Sequence, residues 1–207
     1  MDLEDCGTGA GGFKEGNTCS KSSGEIGTRD ANEKQTNLIS NLEKKLREPR
    51  ENEQLYVVSG QGNLILSQEG TKNKIVLQQE DVDMMKKDGK SILTHNHPMS
   101  TSLSYADIVL ASNANLKEVR AVAQKKTYLA SRPSSGWPDP KEIIQKFTSA
   151  NQEIFKILQP KVIKDTKNKD EFEKFKIAKN YSILHSEILA SAVASILKIP
   201  YKQEQNK

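Results

Sequence analysis

The spacing of apolar residues changes several times along the chain, and each change marks an element. Leu38, Ile39, Leu42 and Leu46 recur at three- and four-residue intervals, the spacing of one helix face. They predict an amphipathic helix over "TRDANEKQTNLISNLEKKLRE", capped at Thr28 or Asp30 and closed by Pro49. "EQLYVVSGQGNLILSQEG" reads instead as two short strands joined at Ser59-Gly60-Gln61-Gly62, a hairpin turn sequence. "NKIVL" has the composition of a third strand. "QQEDVDMMKKDG" places Val82, Met84 and Met85 between an acidic start and a glycine stop, which predicts a short helix. "KSILT" is a fourth strand that runs directly into His95.

Beyond it, "SYADIVLASNA" is a helix with Ser104 at its N-cap, and "EVRAVAQ" pairs with "TYLASRP" as a hairpin about Gln124-Lys125-Lys126. Asp139-Pro140 opens a further helix, with proline at a favoured first-turn position, and the last long helix is stopped by Pro200. The expected fold class is α+β: a mixed sheet flanked by helices, with a flexible N-terminal segment and two C-terminal helices. Residues 1–28, rich in Gly and Ser, are expected to be disordered. Residues 29–135 form the core, and 136–207 a C-terminal helical extension whose apolar stripe suits packing on the core or on a second subunit.

Composition narrows the partners. Across 207 residues the chain is 35% hydrophobic and 28% charged, and no apolar run approaches the ~20 residues of a membrane helix. The opening Met-Asp-Leu-Glu-Asp lacks the basic and apolar regions of a signal peptide, so a cytoplasmic location is expected. The formal charge of +4 divides unevenly: from residue 141 onward 13 Lys face 8 Asp or Glu. That excess reads as solvated helix faces, because the clustered Arg and interleaved aromatics of a nucleic-acid binder are absent. Cys6 and Cys19 are too few for a disulfide scaffold and have no histidine nearby, so reduced thiols are expected.

The chemistry concentrates in "THNHPMSTSLSYAD". Alternate side chains of a strand point to one side, so His95 and His97 can aim two imidazoles at one point while Asn96 faces away. Pro98 ends the strand. Asp107 lies three residues after Ser104, the spacing of a capping box, and can fold back from the first helical turn toward the same point. Two imidazoles and a carboxylate leave a fourth position open, the arrangement of a catalytic zinc rather than a structural one. Zinc activation of water then calls for a carboxylate base and an oxyanion donor, with Ser104 a candidate donor. An isolated H-x-H is a common loop feature, and S-x-x-D alone is an ordinary cap. The succession of strand, H-x-H-P, loop, S-x-x-D and helix is far more specific.

"THNHP" followed by "SYAD" resembles the signature of the JAMM (JAB1/MPN/Mov34) metalloprotease family, most closely its RadC-like branch. It is also similar to the JAMM-like domains of phage head-morphogenesis proteins. The resemblance covers roughly residues 50–132, with six residues between His97 and Ser104 where the family pattern has seven. It implies a curved mixed sheet of the JAMM/cytidine deaminase-like kind, zinc on His95, His97 and Asp107, and an oxyanion-stabilising Ser104. The family's catalytic glutamate opens the first core strand, which here is Glu53, with Glu51 next in line and Glu69 worse placed.

The implied activity is zinc-dependent hydrolysis of a peptide or isopeptide bond in a polypeptide substrate, such as a ubiquitin-like conjugate or a phage protein. The alternative is a phage or mobile-element accessory protein that uses the fold for binding or assembly without hydrolysis. Other polar residues have plainer readings. His185 sits in the apolar stripe of the last helix as a structural residue, Trp137 anchors a loop, and Asp81 and Asp83 favour a helix start.

Overall fold

The computed structural model describes residues 23–206 apart from Asn73, so Cys6, Cys19 and most of the expected N-terminal disordered segment lie outside the described residues. The remainder is α+β, with one mixed six-stranded open sheet and five helices. In chain order the elements are α1 (Ser23–Leu46), β1 (Gln54–Val58), β2 (Leu64–Glu69), α2 (Gln79–Asp88), β3 (Ile92–Asn96) and α3 (Tyr105–Asn113). Then come β4 (Glu118–Val122), β5 (Lys126–Ser131), α4 (Pro140–Thr166), α5 (Glu171–Ile196) and β6 (Tyr201–Gln205).

The sheet runs β2-β1-β3-β4-β5-β6. Every pairing is antiparallel except β3 with β4, which α3 connects as a crossover. The carboxyl end of β3, where a helix leaves the sheet, is thus the natural place for a site. Strand alternation divides the core in two. Leu55, Val57 and Leu93 face Met85, Leu103, Ile108 and the first and last turns of the C-terminal helix pair. Val58 and Ile92 face the opposite way, onto Ile39 and Leu42 of α1.

Four details depart from the pattern of the sequence. Helix α1 begins several residues before Thr28 or Asp30, because an apolar stripe starting at Leu38 cannot report how far polar residues extend a helix, and propagation adds a hydrogen bond per residue. Two polar residues of that helix, Gln35 and Glu43, are buried on its sheet-facing side. The Gln35 amide donates to the Ser59 and Lys90 carbonyls at 2.8 and 2.9 Å, and Glu43 receives Arg120 and the Thr94 hydroxyl.

"NKIVL" is not a strand. The chain doubles back at Gly70 through a single bridge, Thr71 with Lys74, and a Cβ at Gly70 would overlap the Lys74 carbonyl oxygen. Ile75 and Leu77 then pack on the core without a ladder partner. Finally, "YKQEQ" after Pro200 forms the edge strand β6 on β5. One face of an exposed edge strand is wet, so it shows little hydrophobic pattern. The segment 136–207 is therefore not helical alone: Ile143, Phe147, Val193, Leu197 and Ile199 belong to the main core, and the segment supplies a sheet strand.

Candidate metal centre

His95 is the penultimate residue of the wholly buried β3, on the same face as Leu93, and His97 follows one residue beyond the strand. The His97 amide still donates to the Val122 carbonyl at 3.0 Å, which carries the strand geometry through the motif. Ser104 caps α3 in a reciprocal capping box: its backbone N–H donates to Asp107 Oδ2 at 2.6 Å, and the Asp107 amide to Ser104 Oγ at 3.4 Å. That cap turns the Asp107 carboxylate back toward the histidines.

The three side chains converge. Nε2 of His95 lies 2.8 Å from Nε2 of His97 and 3.2 Å from Asp107 Oδ1, and His97 Nε2 lies 3.7 Å from Asp107 Oδ2. Ligand atoms about 2.0–2.1 Å from one zinc at tetrahedral angles stand about 3.3–3.4 Å apart, and the observed separations bracket that value. His97 Nδ1 donates to the Thr101 carbonyl at 2.9 Å, which fixes the tautomer with Nε2 free to ligate. His95 Nδ1 is buried and makes no hydrogen bond among the described residues. Among the described residues this is the group of His, Cys, Asp or Glu side chains that could hold a metal ion.

The electrostatics are those of a cation site. Burial pushes the Asp107 carboxyl up, but the two imidazoles and the Ser104 amide outweigh it and hold the group well below the usual carboxylate range. Burial also opposes a charge on His95, yet Asp107 and Glu53 raise it above its ordinary 6.5. Burial, together with the neighbouring His95, lowers His97.

Glu53 immediately precedes β1. Its backbone continues the sheet, with its N–H on the Thr71 carbonyl at 2.9 Å and its carbonyl receiving the Gly70 N–H at 2.8 Å. It lines the same cleft as His95, His97, Ser104 and Asp107, a cavity of about 570 Å³ walled by Ile75, Leu77, Val82, Met99 and Leu110. Partial burial and the Asp107 charge raise its pKa, with His95 acting in the opposite sense. Glu51 and Glu69 line a different depression with Arg50 and Asn52, so neither meets the histidines. The Ser104 hydroxyl lies in the cleft but donates to Asp107 Oδ2 at 2.8 Å. His185 stays within α5, and Trp137 holds its loop by donating to the Leu116 carbonyl at 2.7 Å.

Asn96 has a part that the spacing of the motif left unstated. Facing away from the histidines, it accepts the Gln54 N–H at 2.6 Å and donates to the Asn52 carbonyl at 3.2 Å. It thus grips the backbone on both sides of Glu53. Its place between two inward histidines was the available signal, because strand alternation turns it to the opposite face of the sheet.

No protein-family model, curated protein or solved structure matches the chain. Among the described residues, no helix is long and apolar enough to cross a membrane.

Proposed function

We propose that the chain is a zinc-dependent hydrolase of the JAMM kind, acting in the cytoplasm on a peptide or isopeptide bond of a polypeptide substrate. A ubiquitin-like conjugate and a phage protein are both suitable polypeptides. The observation that carries the reading is the convergence of two imidazoles and a carboxylate on one point, with a second, pKa-raised carboxylate in the same cleft.

His95, His97 and Asp107 hold the ion, and the Thr101 carbonyl keeps His97 in the ligating tautomer. When bound, zinc supplies Lewis acidity toward water and toward a substrate carbonyl. Glu53 takes the proton that the attacking water loses and delivers it to the departing amine, and its raised pKa suits both halves of that task. Ser104 steadies the charge that builds on the carbonyl oxygen, exchanging its bond to Asp107 for one to the substrate. The apolar wall of the cleft shields the reacting atoms from bulk water.

The test is zinc content by elemental analysis, followed by a peptidase screen of wild type and Glu53→Gln. One zinc per chain, lost in the His95→Ala, His97→Ala double variant, is expected. Glu53→Gln keeps the zinc and loses about 10²–10⁴-fold in turnover. A chain that takes up no zinc refutes the reading. The exposed Phe155, Phe172 and Phe175 of the C-terminal helices favour a second reading, a binding or assembly role. Zinc uptake without hydrolysis of any polypeptide would select it.

A further inference from the structure

The loop between β3 and α3 carries His97 at one end and Ser104 at the other, and elements from the far end of the chain hold its middle. Ser102 is almost wholly buried. Its backbone N–H donates to Ser186 Oγ of α5 at 3.0 Å, and its hydroxyl shares a 2.7 Å hydrogen bond with the Tyr201 hydroxyl of β6. The Ser186 hydroxyl proton is committed to the Ile183 carbonyl at 2.7 Å, so its oxygen faces the loop as an acceptor.

The Thr101 carbonyl and the Ser102 N–H belong to one peptide unit. That unit is planar and resists twisting, so fixing one end fixes the direction of the other. On one edge of this plane the N–H is pinned by Ser186, and on the opposite edge the carbonyl receives His97 Nδ1–H at 2.9 Å. We infer that Ser186 is a positioning residue for the metal ligand His97, acting through the Thr101–Ser102 peptide plane, with Tyr201 securing the same segment from the edge strand.

This inference rests on the metal-site reading and assigns the C-terminal elements a part in it. Ser186 touches neither metal nor substrate. Its loss frees the peptide plane to rotate, and His97 loses the acceptor that holds its ring. Direct outer-shell partners of metal-bound histidines are worth about 10–100-fold in affinity, and a partner one peptide further out belongs at the lower end, about tenfold.

The experiment compares wild type, Ser186→Ala, Ser186→Thr and Tyr201→Phe in the full chain. Zinc affinity is read by competition with a chromophoric chelator, and melting temperature is read on the zinc-free proteins. Ser186→Ala leaves the buried Ser102 N–H without its acceptor, so it is expected to melt about 2–12 °C below wild type while binding zinc about tenfold more weakly. Ser186→Thr keeps the oxygen and restores the affinity, and Tyr201→Phe falls between. Equal zinc affinity in wild type and Ser186→Ala, or a Ser186→Thr no better than alanine, overturns the inference. Nitrogen NMR of the His97 ring separates the two readings. If the wild type binds no zinc, the metal site fails. The positioning relay then stands only if Ser186→Ala still disturbs the Nδ1–H tautomer, and falls if the ring signal is unchanged.

Discussion

Replacing Asn96 by alanine tests the proposed base, Glu53, separately from the proposed metal ligands. The amide side chain is buried and makes two bonds to backbone, at 2.6 Å to the Gln54 N–H and 3.2 Å to the Asn52 carbonyl. Alanine leaves the buried Gln54 N–H without a partner and hands the carbonyl of the exposed Asn52 to water, and an unpaired buried group costs about 1–3 kcal/mol. The expected loss is therefore about 1–3 kcal/mol, almost all of it at the Gln54 end. For a chain of this size each kcal/mol lowers the melting temperature by about 2–4 °C, so Asn96→Ala should melt about 2–12 °C below wild type. His95 and His97 point to the other face of β3, so zinc affinity should stay within about threefold of wild type. Glu53, released on both sides, loses its register with the reacting atoms, and a displacement of about 1 Å costs on the order of 10²-fold in turnover. Thermal melts, chelator competition and substrate turnover read the three effects separately. A stability loss below about 0.5 kcal/mol would refute the bracketing argument, as would zinc loss as large as that of His97→Ala.

Zinc binding should be linked to protons in a particular direction. In the metal-free chain burial opposes the charge of both rings, but Asp107 and Glu53 raise His95 while His97 stays lowered, so His95 is the one that keeps its proton to the higher pH. Binding where His95 is protonated should release that proton, so affinity should weaken on acidification, and calorimetry in buffers of different ionisation enthalpy reads the release. Affinity independent of pH between about 6 and 7.5 would contradict the assignment. On the opposite face of the sheet, Glu43→Ala strands the Arg120 guanidinium with Glu118 and the outlying Glu204, and should cost about 3 kcal/mol without altering zinc affinity. Glu204→Ala, at the exposed end of the same network, should cost less than about 1 kcal/mol by the same denaturation assay.

The convergence of His95, His97 and Asp107 is legible in the sequence because local rules alone produce it. Strand alternation aligns the histidines, proline ends the strand, and a four-residue cap turns the aspartate back. The hairpins and α2 are legible for the same reason, through turn residues and short periods. What escapes is whatever depends on partners distant in sequence. The burial of the polar Gln35 and Glu43 is tolerable only because Lys90, Ser59 and Arg120 pair with them. "NKIVL" has strand composition but finds no ladder, since the turn at Gly70 carries it off the sheet. The polar β6 becomes a strand only because β5 offers a free edge. The choice of Glu53 over Glu51 likewise depends on Asn96 and Thr71 fixing the backbone entry to β1.

The clasp on Ser102 also bears on the order in which the molecule matures. His95, His97 and Asp107 lie within one short stretch, but the contacts that hold their loop come from Ser186 and Tyr201, 84 and 99 residues away from Ser102 in sequence. Contacts across such separations close late, because chain entropy must be surrendered before they form. On a growing polypeptide the ligands exist long before their mould does. On the proposed metal reading, an ion met early would be held loosely, and closure of the last helix and strand would complete its site.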